Sequence, residues 1–121
     1  VMGVGWSTDG KMLASAGADN VVKLWDYEKG EQVRTINAAT KQLTALVFQA
    51  KKNEFLTASG DSQVRMWGVN GNNVRNFNAG SDFLYCVAVS PDGALVAAGA
   101  QDGSVKLFNG TNGTVLRTLT P

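Results

Sequence analysis

Three aspartates recur in the same setting. Asp19, Asp61 and Asp102 stand six residues ahead of Trp25, Trp67 and Phe108, in the stretches DNVVKLWD, DSQVRMWG and DGSVKLFN. A carboxylate so placed could serve as an acid or base, ligate a metal, or hold a turn through backbone amides. The chain has no histidine, so the usual general base near neutral pH and the commonest metal ligand are both missing. Glycoside chemistry would need two carboxylates facing one cleft. Asp9 and Asp92 fall in turns at one end, Asp26 and Glu28 at strand ends and Glu54 at a strand start, which leaves only Asp82 in a loop near the other end. The single Cys86 lies within an apolar run, where a buried small hydrophobe is expected in place of a nucleophile. No catalytic, cofactor-binding or metal-ligating residue is expected, and the aspartates are read as turn caps of the Asx type.

The bulk properties agree with a non-catalytic reading. Across 121 residues, 11 basic and 10 acidic side chains are interspersed and leave a net charge of +1, so neither nucleic acid nor a membrane surface is indicated as a partner. Apolar runs are too short to span a bilayer, and no charged segment leads into one at the start. The expectation is a soluble chain, and its lack of a disulfide framework is compatible with the cytoplasm. Asn109-Gly110-Thr111 and Asn112-Gly113-Thr114 match the glycosylation pattern, but they fall in a Gly-rich turn where Asn and Gly serve the backbone.

The elements that position the aspartates follow from a period. Trp25, Trp67 and Phe108 are spaced by 42 and 41 residues, and so are the three aspartates and Lys23, Arg65 and Lys106. Arg34, Arg75 and Arg117 keep the same time, as do Gly30, Gly71 and Gly113. Each period resolves into four apolar or alternating runs of strand length separated by turn residues; the first reads VMGVGWS, KMLASA, VVKLWD and QVRTI. Tight turns joining consecutive runs predict a four-stranded antiparallel meander per repeat. Gly10, Asn53 and Gly93 are expected to take a positive φ in the first turn. The first two runs suit strands buried on both faces, and the fourth, with its Arg, Thr and Asn, suits an edge.

A period of about 41 residues, four strands per period, SPDG after the first strand of the third repeat, and an Asp six residues before a Trp together resemble the WD-repeat family of β-propellers. The resemblance covers the whole chain as repeats over 1–38, 39–79 and 80–121. It implies an all-β propeller segment of three four-stranded antiparallel blades. In that family a His before the first strand, a Ser or Thr in the second, the turn Asp and the Trp form a hydrogen-bonded set. Ser15, Asp19 and Trp25 match three members, as do Thr57, Asp61 and Trp67; in the third repeat only Asp102 matches, since Ala98 and Phe108 have neither hydroxyl nor indole N–H. Where the family's Gly-His pair would fall stand NAAT at 37–40 and NAGS at 78–81.

Three blades are too few to close a ring, because propellers typically have about four to eight. The expectation is closure by two or three identical chains, or by further blades of a longer polypeptide. The resemblance implies a scaffold that holds a protein or peptide on the rim where the first strands begin. Its candidate contacts here are Met2, Gln42, Thr44, Phe83, Tyr85 and Gln101, with Ala18 and Gly60 contributing little side-chain chemistry. The alternatives are a purely structural assembly repeat and, less favoured, a propeller hydrolase.

Overall fold

The computed structural model describes residues 1–50, 52–80 and 82–121 and contains twelve strands. Blade 1 is β1 (Gly3–Trp6), β2 (Met12–Ala16), β3 (Val21–Asp26) and β4 (Glu31–Asn37). Blade 2 is β5 (Leu43–Phe48), β6 (Glu54–Ser59), β7 (Gln63–Gly68) and β8 (Asn73–Asn78), and blade 3 is β9 (Leu84–Val89), β10 (Leu95–Ala100), β11 (Val105–Asn109) and β12 (Val115–Leu119). Each blade is an antiparallel sheet whose strands pair in chain order, the meander that the turn spacing predicts.

The two-residue side-chain period of a strand explains how blade 2 holds its neighbours. Leu56, Ala58, Val64 and Met66 point to one face and pack with Leu84, Val96, Ala98 and Phe108 of blade 3. Phe55 and Trp67 point to the other and pack with Ala14, Ala16, Val22, Leu24 and Ile36 of blade 1. The core is thus two apolar layers between three sheets. Burying each large side chain in it is worth about 1.5–3 kcal/mol. The fourth strands are mostly exposed, with Ile36 and Phe77 turned inward.

Four expectations need correction or refinement. Burial of the first two runs on both faces holds for blade 2 but fails at the ends, where Val4 and Trp6 of β1 are 66% and 53% exposed. Cys86 is exposed because its side of β9 faces away from blade 2. Asn53 does not take a positive φ; its side chain instead accepts from the Thr8 amide at 3.0 Å and donates to Asp9 at 3.1 Å, tying the first turns of blades 1 and 2 together. The left-handed residues that sequence did single out, Gly10 and Gly93, have φ of 73° and 75°. A second set directly follows the aspartates: Asn20, Ser62 and Gly103, at 71°, 72° and 88°.

One feature recurs in all three blades without a sequence signature. The pairing of third and fourth strands shifts register between Leu24 and Trp25, Met66 and Trp67, and Leu107 and Phe108. A bulge adds local twist and re-aims the side chain that follows. Here the extra residue is on the fourth strand, Val33, Val74 or Leu116, facing the step into the repeated aromatic.

Candidate functional site

The aspartates lie in the turns between second and third strands. The Asp19, Asp61 and Asp102 carboxylates accept from the amides two residues on, Val21 at 3.3 Å, Gln63 at 3.1 Å and Ser104 at 2.8 Å. The left-handed residue between donor and acceptor turns the chain so that this amide faces the carboxylate.

Asp61 does more than its two counterparts. It also accepts from the Ser59 hydroxyl, from the Thr40 amide at 3.0 Å and hydroxyl at 3.1 Å, and from the Arg65 guanidinium at 2.9 Å. Burial works to raise its carboxyl pKa, but the bonds from Ser59, Thr40 and Arg65, with the arginine's charge, outweigh burial and hold it below the ordinary value. Thr40 ends the NAAT stretch that stands where the family's Gly-His falls, so its hydroxyl and amide supply donors from that loop. Sequence reasoning missed this because it looked for an imidazole. The corresponding Ser81 of NAGS lies outside the described residues; its neighbour Asp82 accepts from the Asp102 amide at 2.9 Å.

The indole–hydroxyl pairs stand beside these turns. Trp25 donates to Ser15 at 3.1 Å and Trp67 to Thr57 at 3.1 Å. In blade 3, Phe108 instead packs edge-on against Phe77 of blade 2, with ring centres 5.6 Å apart.

The candidate rim residues come together unevenly. Phe83 and Tyr85 have ring centres 5.0 Å apart. Phe83 lies over Gly60 so closely that a Cβ there would sit 2.3 Å from the ring, and its carbonyl accepts from the Gln101 amide at 2.9 Å. Phe83 therefore joins the loop before β9 to the Asp61 turn of blade 2, while Tyr85 remains 54% exposed. Thr44 spends its hydroxyl on the Leu84 carbonyl at 2.8 Å, across the junction of blades 2 and 3. The Gln42 carbonyl accepts from the Gly60 amide at 3.0 Å and the Met2 amide donates to Ala16 at 2.7 Å, leaving the side chains of Gln42, Met2 and Gln101 exposed. Ala18 is exposed as well. Among the described residues no group of three or more Cys, Asp or Glu is placed to hold a metal ion, and no helix is long and apolar enough to cross a membrane.

Three consecutive four-stranded antiparallel sheets, packed face to face with their first strands side by side, define a segment of a β-propeller. Comparison with known proteins agrees on the kind of propeller. Residues 71–109 match the family described as WD domain, G-beta repeat, and residues 1–51 match the anaphase-promoting complex subunit 4 WD40 domain. The chain is a member of the WD-repeat family. It is 31% identical over 104 residues to the U3 small nucleolar RNA-associated protein 15 homolog of Xenopus tropicalis, covering 84% of this chain and 20% of that protein. It is 29% identical over 98 residues to the probable coatomer subunit beta' of Schizosaccharomyces pombe, covering 80% of this chain and 12% of that protein. It is 35% identical over 85 residues to WD repeat-containing protein 1 of Xenopus tropicalis, covering 67% of this chain and 14% of that protein. The chain thus spans a fifth or less of the length of each of these relatives.

Proposed function

We propose that this segment is a non-catalytic scaffold that holds a protein or peptide on the rim where its first strands begin. The observation that carries the reading is the division of labour between two touching aromatics. Phe83 is fixed against Gly60, and it holds Tyr85 beside it with half of its surface open. A rigid, half-exposed Tyr loses little entropy on binding and offers both an apolar ring and a hydroxyl. The family relationship supports a role in assembly: a relative is named as a coatomer subunit, and the family model matched by residues 1–51 is described as a domain of an anaphase-promoting complex subunit. Another is named for association with U3 RNA, but the balanced charge of this chain favours a protein over a polyanion.

A photo-crosslinking residue at position 85 tests the proposal in the full-length protein. The expected result is one dominant protein adduct, and in otherwise unmodified protein Tyr85→Ala weakens capture of that protein about tenfold or more. Tyr85→Phe separates the hydroxyl from the ring. The absence of any adduct, or capture indifferent to Tyr85→Ala, overturns the rim reading and leaves a repeat whose role is assembly alone.

A further inference from the structure

Blade 2 departs from its own repeat at the end of the strands away from the rim. The amides of Ser7, Gln49 and Ser90 donate to the carbonyls of Met12, Glu54 and Leu95, which puts the three first turns in register. In blades 1 and 3 the serine hydroxyl is spent inside the turn, on Asp9 at 2.6 Å and on Asp92 at 2.7 Å, and the second strand starts on an apolar residue. Blade 2 has neither the serine nor the apolar start. Gln49 and Glu54 take those places, and both line a cavity of about 280 Å³ at the junction with blade 3. The two blades that bound this cavity both belong to the chain, so its shape does not depend on what covers the outer faces of blades 1 and 3.

Its polar groups fall into two sets that do not satisfy each other. The first set accepts. Gln49 is only 9% exposed, yet its amide nitrogen meets nothing closer than Glu54 and the Met66 sulfur, each at 3.4 Å. Its amide oxygen lies over Gly93, 2.7 Å from where a Cβ would stand, and takes no hydrogen bond from the described residues. A buried carbonyl in that state is costly until a donor reaches it. The second set donates. Arg75 spends Nη1 on the Gly110 carbonyl at 3.1 Å and on the Met66 sulfur at 3.7 Å, which leaves Nη2 and Nε without an acceptor among the described residues. Lys52 lines the same cavity, and neither cation forms an ion pair with Glu54.

The two sets specify an occupant. Nη2 and Nε of Arg75 form the flat fork that takes a carboxylate through two parallel bonds, and Lys52 adds a second positive charge. Glu54 and the Gln49 oxygen call for a donor, and with a ligand carboxylate nearby a positively charged donor offsets the repulsion from Glu54. Asp92 also lines the cavity but is already engaged by Ser90 and by the Ala94 amide at 3.0 Å. The volume is below the range of about 300–1,000 Å³ usual for drug-sized ligands, so the occupant is small. Met66 and Ala94 provide an apolar wall beside the charges. We propose that this junction binds a free aliphatic α-amino acid, with its carboxylate on Arg75 and Lys52 and its ammonium on Glu54 and the Gln49 oxygen. The site is separate from the rim around Tyr85 and stands or falls without it.

Saturation-transfer NMR with L-leucine on the full-length protein tests the proposal. The expected result is binding with a dissociation constant of about 1 mM. N-acetylleucine lacks the ammonium and leucinamide lacks the carboxylate, so each binds about tenfold more weakly or worse. Glu54→Gln, at a half-buried strand start, weakens leucine about tenfold and abolishes its advantage over N-acetylleucine, a change of preference that a merely structural role would not produce. Urea unfolding of the variant confirms that the fold is kept. The absence of leucine binding up to about 20 mM overturns the proposal. Equal binding of leucine and either derivative overturns the assignment of a doubly charged ligand, and a preference untouched by Glu54→Gln overturns the placement at this junction.

Discussion

Trp67→Phe isolates what the repeated tryptophan contributes beyond filling space. Its indole donates to Thr57, a side chain only 1% exposed and on the face that packs against blade 1. Removing the donor leaves a hydroxyl buried without it, at about 1–3 kcal/mol, and the smaller ring leaves a void worth about 1 kcal/mol more. Thr57→Val alone strands the indole N–H at a similar cost of about 1–3 kcal/mol. With both substitutions no polar group is left over, so the pair costs about 1–2 kcal/mol where the two singles sum to about 3–7. The coupling is therefore at least about 2 kcal/mol, the cycle being the means of separating pair from parts.

Urea unfolding at fixed protein concentration, with the slope m unchanged among variants, measures all four corners. The blade 1 pair supplies an internal comparison. Ser15 and Trp25 are only half-buried on the outer face of blade 1, so in this 121-residue segment water can replace the Trp25 donor at Ser15, and Trp25→Phe costs under about 1 kcal/mol. Additivity of the Thr57 and Trp67 changes within about 0.5 kcal/mol would refute the argument, as would an equal cost at Trp25.

The remaining expectations concern the turns and the rim. Gly60→Ala places a Cβ within 2.3 Å of the Phe83 ring, so the ring must leave its seat; a loss of about 1–3 kcal/mol in urea is expected, largely recovered by adding Phe83→Leu. Asp61 titrates below the ordinary carboxylate value of 3.8, so its contribution is complete above that value and is lost as pH falls through its lowered one. Asp61→Asn should therefore lower stability at pH 7 and flatten its acid dependence below about pH 4. Asp9 has the same sign: Ser7 first, then the Lys11 amide and Asn53, bring its pKa to about 2, so its share is lost between 3.8 and about 2. With no histidine to titrate, stability should be nearly constant from about pH 6 to 8, and a steep change there would count against this account.

The architecture was legible because several residue types keep one period. Trp, Asp, Arg and Gly each mark a different place in the blade, and chance does not bring four markers into step. What escaped reading depends on neighbours in space. Asn tolerates a left-handed turn, which makes Asn53 a candidate for one by sequence, yet its side-chain amide bridges to Thr8 and Asp9 of another blade. Cys86 lies in an apolar run, but whether its face is covered depends on a sheet beyond β9. The bulge on the fourth strand announces itself by no special residue, since the unpaired Val33, Val74 and Leu116 are ordinary strand formers. Of the rim, the sequence offered the aromatics; it could not show that Phe83 is anchored on a glycine of the preceding blade while Tyr85 is left open.

Blade 3 separates the parts of the repeat that the fold requires from those that only polar partners require. It places Phe108 where the other blades place tryptophan, immediately after the same register shift, with Ala98 at the place of the Ser15 and Thr57 hydroxyls. The ring still fills the space between sheets, against Phe77, so bulk at this position serves the junction whether or not an N–H is present. The indole matters where Ser15 or Thr57 needs a donor. The aspartate has no such apolar substitute. Its turn exposes an amide two residues on in every blade, and a side-chain oxygen at that distance satisfies it without disturbing the strands on either side. That is why Asp102 stays beside a phenylalanine and an alanine that have given up the rest of the set.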